Sequence, residues 1–205
     1  PPTLEDWRIT TRDPDVAAKV HELFGGDAPQ KWETKSENDL EVFTASPEVD
    51  IIIEKDSALR QRLVLWSRTG KLIYASNGEY KLDDRGNVTD EADPDAALSF
   101  AERKQKGRDG TGPEPSTELY FRLAADPELG SFKLQSASWS LVSDLRYNAT
   151  EDTLRDAIAD SDEGKATAVL KLEPVSFVAK NGPMAGKTVS FTKTVIADIA
   201  AKAAA

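Results

Sequence analysis

The 205-residue sequence contains no cysteine and only one histidine, His21. Without cysteine the chain cannot form disulfides, thiolate nucleophiles or cysteine-ligated metal sites. A hydrolytic triad or a histidine-based metal centre would have to use His21. That residue stands beside Glu22 in a helix that we expect to begin at Asp13 and Pro14 and to end at Gly25. This position is typical of an ordinary boundary histidine. The sequence therefore shows no catalytic site and no metal site. We expect neither an enzyme nor a bound cofactor.

Long apolar runs and an excess of positive charge are also missing. No run approaches the roughly 20 apolar residues that a transmembrane helix needs, and no signal peptide is visible at the start. We therefore expect a soluble, cytoplasmic protein with no membrane partner. The formal net charge of −10 opposes contact with phosphate backbones, because releasing their counterions requires lysine and arginine. We expect no direct sequence-specific DNA binding.

What the chain does contain is a succession of short alternating segments. The clearest is residues 117–123, where Leu119, Phe121 and Leu123 point to one side. Helices are few and stand between groups of strands, and short turns, such as a hairpin turn at residues 68–71, join neighbouring strands. This pattern predicts an α+β fold with a mainly antiparallel sheet and about three short helices. Two long strands at the end, residues 166–179 and 187–196, predict a long C-terminal β-hairpin.

Residues 1–205 are long enough for one domain, and we expect a single domain with a polar acidic insertion at about 78–115. The first part of the insertion is rich in carboxylates, so we expect it to be mobile and solvated. Asp93 and Pro94 then predict the start of a short helix. The helix ends in a basic run, residues 103–108, which complements its C-terminal dipole better than it indicates a nucleic-acid site.

Two predicted strands change the parity of their apolar residues. Leu134 stands at an even position and Trp139 at an odd one, which predicts a bulge or a break near residues 136–138. A second change of parity occurs at Pro174 in the C-terminal hairpin.

Residues 182–188 resemble a phosphate-binding P-loop, but only three residues separate Gly182 from Gly186 where that motif has four. A P-loop must also open a helix, whereas residues 188–192 alternate like a strand. We therefore interpret this segment as a hairpin turn. The acidic loops at 83–87 and 160–164 lack the ligand order of an EF-hand. We interpret them as solvated loops.

Three residues are candidate partner-binding positions. Tyr120 and Arg122 share the predicted outer face of one strand, and tyrosine and arginine are common at the centres of interfaces. Packing against a neighbouring strand is the alternative for both. Trp32 is flanked by charged residues and could be an exposed interface residue, with a buried core tryptophan as the alternative.

Seven segments stand out by their residues and their order along the chain: residues 7–17, 23–26, 32–34, 40–42, 120–124, 138–140 and the closing hairpin. Taken in this order, they resemble the recombination directionality factors of actinophages, which are paired with large serine integrases in Streptomyces phages. The resemblance covers most of the chain and is weakest at residues 78–115.

This resemblance implies a protein that is not an enzyme and that acts in the host bacterial cytoplasm. Such a factor binds the integrase near its coiled-coil region and switches the enzyme from integration to excision by protein–protein contact. It need not bind DNA specifically. The alternative is a phage accessory protein of replication or recombination that binds single-stranded nucleic acid on a β surface with exposed aromatics. A third hypothesis is an enzyme whose carboxylate site has no recognisable spacing.

Overall fold

The computed structural model describes residues 4–205 and confirms an α+β fold with mainly antiparallel sheets. It contains four α-helices, one more than predicted. The helices are α1 Pro14–Phe24, α2 Phe100–Arg108, α3 Trp139–Tyr147 and α4 Thr150–Asp160. The strands are β1 Arg8–Thr11, β2 Gln30–Lys31, β3 Leu40–Phe43, β4 Glu48–Ile53, β5 Leu59–Trp66, β6 Leu72–Ser76, β7 Tyr80–Leu82, β8 Val88–Ala92, β9 Glu114–Leu123, β10 Phe132–Ser136, β11 Ala166–Val178 and β12 Thr188–Ala201.

The chain divides into two compact units. Unit 1 contains the described residues up to Lys55, Phe121–Ser131 and Thr153–Ala205. Unit 2 contains Asp56–Tyr120 and Phe132–Asp152. Strand β9 and helix α4 contribute residues to both. The single domain predicted for residues 1–205 stays a prediction.

In unit 1, α1 begins and ends where the sequence predicts. The Asp13 side chain accepts hydrogen bonds from the first-turn N–H groups of Asp15 and Val16, and Pro14 occupies the first turn. Gly25 ends the helix with a φ of +66°, a conformation that glycine adopts without strain. The helix lies beside a small antiparallel sheet in which β3 pairs with both β1 and β2.

The larger sheet of unit 1 is formed by β4, β11 and β12. Strand β11 pairs with β4 over residues 166–171 and with β12 along its whole length. Cross-strand neighbours share a face, so Val49, Ile51 and Ile53 of β4 lie on the same side as Ala166, Ala168 and Leu170 of β11. All six of these side chains are buried, and this side of the sheet is therefore the core of unit 1.

In unit 2, β5 pairs with the first part of β9 and with β6, and β7 and β8 continue the sheet. The predicted insertion at 78–115 belongs to this unit. It forms β7, β8 and α2. Helix α2 starts later than Asp93 and Pro94 suggest, because Ser99 is its N-cap and forms a capping box with Glu102.

The structure confirms a break at residues 136–138, because β10 ends at Ser136. Trp139 then begins α3, which Ser138 caps, and does not belong to a further strand. Strand β11 runs through Pro174 in unbroken register with β12, and its one irregularity lies between Thr167 and Val169. The change of parity at Pro174 is therefore a change of face for the apolar side chains.

Candidate protein-binding surfaces

The structure places Trp32 in unit 1, directly after β2. Its ring is half-buried beneath the Arg8 guanidinium, whose central carbon lies 4.9 Å from the ring centroid. Its backbone N–H donates a 2.7 Å hydrogen bond to the carbonyl of Asp39. Arg8 also forms a 3.0 Å ion pair with Glu41. Trp32 is thus part of a local cation–π arrangement.

Arg122, also in unit 1, holds the turn that follows β9. Its Nε pairs with a carboxylate oxygen of Glu54, and its Nη1 donates a 2.9 Å hydrogen bond to the carbonyl of Pro127. Both contacts are internal to unit 1. A guanidinium with two internal partners has less freedom to bind another molecule.

Tyr120 belongs to unit 2 and is 37% exposed. The Arg60 guanidinium lies over its ring, 5.8 Å from the centroid. Tyr120 and Arg122 are alternate residues of β9, as predicted, but their partners differ. Trp32 lies apart from β9 in sequence. A partner-binding role for Trp32, Tyr120 and Arg122 stays a prediction.

A more exposed surface lies at the end of the β5–β6 hairpin, which we call the β5–β6 tip (residues 66–73). Trp66 is 55% exposed and Ile73 is 58% exposed. Arg68 and Lys71 are exposed between them, and neither forms an ion pair with any residue in the range 4–205. Sequence analysis identified the turn but not Trp66. The sequence signal that could have identified this surface is the lack of any acidic residue between positions 57 and 78.

A second surface is the far half of the C-terminal hairpin, which we call the C-terminal arm (residues 173–193). Pairing between β4 and β11 ends at Lys171, so in the arm β11 pairs only with β12. A hairpin of two strands is at best marginally stable in water when nothing packs on it. The arm nevertheless carries several large apolar side chains.

These side chains form an apolar face on one side of the arm. Val175 pairs with Phe191 and Phe177 with Val189, so all four point to the same side. The rings of Phe177 and Phe191 meet edge to face with centroids 6.4 Å apart. Phe177 is 48% exposed, although its neighbours on the other strand are half-buried.

The apolar face lies on the opposite side of β11 from the core of unit 1. Leu170 is at an even position and buried, whereas Val175 and Phe177 are at odd positions in the same unbroken register. The odd side nearer the sheet is polar, since Lys171 forms ion pairs there with Glu48 at 3.4 Å and Asp198 at 3.7 Å. The arm therefore does not extend the core but presents a separate apolar face.

Other sequence candidates have structural roles. The Nε2 atom of His21 lies 3.2 Å from the carbonyl oxygen of Gly26, next to the end of α1. The P-loop-like segment leads into β12 at Thr188, so no helix follows it. Within residues 4–205, no group of three or more acidic or histidine side chains is placed to hold a metal ion. None of the helices in the same range has the length and hydropathy of a transmembrane span.

The basic run of α2 is engaged by buried carboxylates. Asp93 has no exposed side-chain surface, accepts a hydrogen bond from the hydroxyl of Ser76 and lies 3.4 Å from Arg103 Nη1. Asp95 accepts a 2.5 Å bond from Lys106. Part of the segment expected to be solvated is therefore buried, because its carboxylates find these partners. We refer to these residues as the Asp93 cluster.

The Asp93 cluster shifts two pKa values in opposite directions. Burial alone would raise the pKa of Asp93, but hydrogen bonds from Ser76, from the backbone N–H of Asp95 and from Arg103 outweigh it and lower the pKa. Burial, followed by the nearby Asp93 and Asp95 charges, raises the pKa of Tyr74 to about 12. These contacts hold β6, β8 and α2 together, so we assign them a structural role.

Exposed aromatic, arginine and apolar side chains on sheet surfaces are features of a class of proteins that act by binding other macromolecules. The chain belongs to the Gp3-like family, described as recombination directionality factor-like, whose family model matches residues 1–195. It is thus a recombination-related phage protein, and its family implies interaction with the recombination machinery. No solved structure matches the chain.

Proposed function

We propose that this protein is a recombination directionality factor that binds a large serine integrase and switches it from integration to excision. It acts in the host cytoplasm by protein–protein contact, near the coiled-coil region of the integrase, and catalyses no reaction itself. Family membership supports the link to recombination. The resemblance to actinophage factors supports the pairing with a serine integrase.

The observation that carries this proposal is the apolar face of the C-terminal arm. Val175, Phe177, Val189 and Phe191 lie together on the side of β11 opposite the buried Leu170, so they are not needed to fill the core of unit 1. Phe177 is exposed and the other three are half-buried. A contiguous apolar surface that is at least partly exposed marks an interaction site. The arm is therefore the element that we assign to integrase binding.

A binding protein can reverse the direction of an enzyme by shifting a population. The factor must bind the excision-competent arrangement of the integrase better than the integration-competent one. A change from 1:99 to 99:1 requires about 5.5 kcal/mol of differential binding. Interface hot spots contribute about 2 kcal/mol or more each, so a few aromatic residues supply enough energy.

The arm offers a matched pair of variants that test this assignment. Phe177 and Val178 are adjacent and about equally exposed, at 48% and 59%, but they point to opposite sides of β11. We predict that Phe177→Ser weakens binding to the integrase of the same phage about 30-fold, which corresponds to about 2 kcal/mol. Val178→Ser should change the affinity less than about twofold, within the usual range for a surface substitution.

Isothermal titration calorimetry of purified integrase with each variant measures the change in affinity, and thermal unfolding verifies that both variants are folded. Equal affinities for Phe177→Ser and Val178→Ser would contradict the assignment of the arm. Failure of the wild-type protein to bind the integrase at all would contradict the proposed function.

A further inference from the structure

We propose that the β5–β6 tip is a second docking surface, which binds an acidic, partly apolar surface of the partner protein. This inference rests on the proposed function in that the partner is the integrase. It adds the chemistry that the partner must present, and it assigns a role to unit 2 that the C-terminal arm of unit 1 does not supply.

The apolar part of the tip is produced by a bulge in the β5–β6 pairing. Trp66 pairs with Leu72 after a register shift that follows Leu65. Ile73 is thereby left as an extra residue on the β6 side, two positions before the buried Ala75. Val64 pairs with Ala75, and Trp66 and Ile73 each lie two positions from that pair. Both side chains therefore lie on the side of Val64 and Ala75, and both are more than half exposed.

The turn itself is closed by its own hydrogen bonds. The N–H of Ser67 donates 2.8 Å to the carbonyl of Lys71, and the Ser67 hydroxyl accepts a 3.0 Å bond from the N–H of Lys71. The Ser67 hydroxyl also lies 2.9 Å from that of Thr69. None of these bonds uses the side chains of Trp66, Arg68, Lys71 or Ile73. The tip is thus pre-ordered while its large side chains remain available, which lowers the entropic cost of binding.

The charge of the hairpin is opposite to that of the chain. Residues 57–78 contain four cations and no acid, in a protein with a formal net charge of −10. Arg60 lies over Tyr120, and Arg62 is 3.9 Å from Glu118, which is a loose ion pair. Arg68 and Lys71 have no ion-pair partner in the described chain. Charge complementarity therefore specifies an acidic partner surface.

A protein partner fits this surface better than nucleic acid does. Glu118 pairs with Arg60 and Glu114 with Val64, so both carboxylates lie on the same side of the sheet as Arg60 and Arg62. These carboxylates interrupt the continuous row of positive charge that a phosphate backbone, with its regularly spaced charges, requires. The branched aliphatic Ile73 cannot stack on a base, whereas a protein groove can bury it together with Trp66.

The test is the double charge reversal Arg68→Glu with Lys71→Glu. The control is Lys35→Glu with Lys55→Glu, which changes the net charge equally at exposed positions of unit 1. Titration of the integrase with each variant at two salt concentrations should show about tenfold weaker binding for the tip variant and a smaller salt dependence. The control should bind like the wild type. Both variants should unfold at the wild-type temperature, since all four positions are exposed.

The outcomes separate this inference from the proposed function. If the tip variant and the control bind the integrase with equal affinity, the inference is overturned. Loss of integrase binding by Phe177→Ser would still support the assignment of the C-terminal arm. A further titration adds a naked single strand of 20 nucleotides to the wild-type protein. Binding of that strand, abolished by the tip reversal, would also overturn the inference, because it would make the tip a nucleic-acid surface. Absence of any integrase binding by the wild type would reject both proposals.

Discussion

At the scale of single residues, the least expected feature is the burial of Asp93 in a segment that is acidic and polar in sequence. Its carboxylate lies among the Ser76 hydroxyl, the Asp95 N–H and the Arg103 guanidinium. A buried carboxylate is stable only when hydrogen bonds and a positive charge replace its water. These partners lie up to 17 positions away in the chain. The composition of the segment alone therefore predicted that the Asp93 side chain would be exposed to solvent.

The burial of Asp93 predicts a specific loss of stability. Asp93→Asn should lower the free energy of unfolding by about 3 kcal/mol, because it leaves the Arg103 charge, which is only 12% exposed, without a carboxylate. Chemical denaturation at neutral pH measures this loss. The exposed Asp90 on β8 gives the control, since Asp90→Asn should change stability by less than about 0.5 kcal/mol.

The same substitution should also change the response to acid. The pKa of Asp93 in the folded protein is below its ordinary value of 3.8, so its stabilising contribution is present above that value and is lost as pH falls through the folded pKa. The stability difference between wild type and Asp93→Asn should therefore narrow as the pH is lowered from about 5 to about 3. A difference that stays constant over this range would show that the Asp93 charge does not stabilise the fold.

At the scale of helices and strands, the sequence predicted elements whose ends carry their own chemical signals. Helix α1 was predicted correctly because Asp13, Pro14 and Gly25 specify both of its ends locally. Helix α3 was missed because Trp139 and Leu141 are two residues apart, which is also the spacing of a strand. What stabilises that helix is tertiary: Leu141 is buried, and the Trp139 ring packs edge to face on Phe100, 5.5 Å away.

The C-terminal hairpin was predicted, but the meaning of its change of parity was not. The change of parity at Pro174 is compatible with a bulge or with a change of face, and the structure shows that the register continues while the apolar residues pass to the other side. Only knowledge of which side is buried in the fold distinguishes these two possibilities. That knowledge comes from β4, which lies more than 100 positions earlier in the chain. The hairpin could therefore be located in the sequence, but the apolar face that it presents could not.

The isolation of the C-terminal arm predicts its dynamics. Amide hydrogens of residues 175–178 and 188–191 should exchange faster than those of residues 166–170, because only the latter pair with β4 as well as β12. Integrase should slow exchange in the arm when it binds the apolar face. Hydrogen exchange followed by mass spectrometry measures both effects. If amide hydrogens of the C-terminal arm in the free protein exchange as slowly as those of residues 166–170, the arm is not isolated and this prediction is wrong.

At the scale of the whole molecule, an acidic chain carries two local surfaces of different chemistry. The arm of unit 1 is apolar, and the tip of unit 2 is cationic and aromatic. A net charge of −10 opposes contact with DNA. Under the proposed function, the chain instead binds a protein that already occupies the DNA and changes the activity of that protein by selective docking.

The most direct test of this account is recombination in vitro with purified integrase, DNA carrying the two hybrid sites of an integrated prophage, and this protein. We predict that the hybrid sites recombine only when wild-type protein or Val178→Ser is added, and that Phe177→Ser gives little product at the same concentration. The reverse reaction between phage and bacterial sites should be inhibited in parallel. An integrase whose direction is the same with and without the wild-type protein would contradict the central claim.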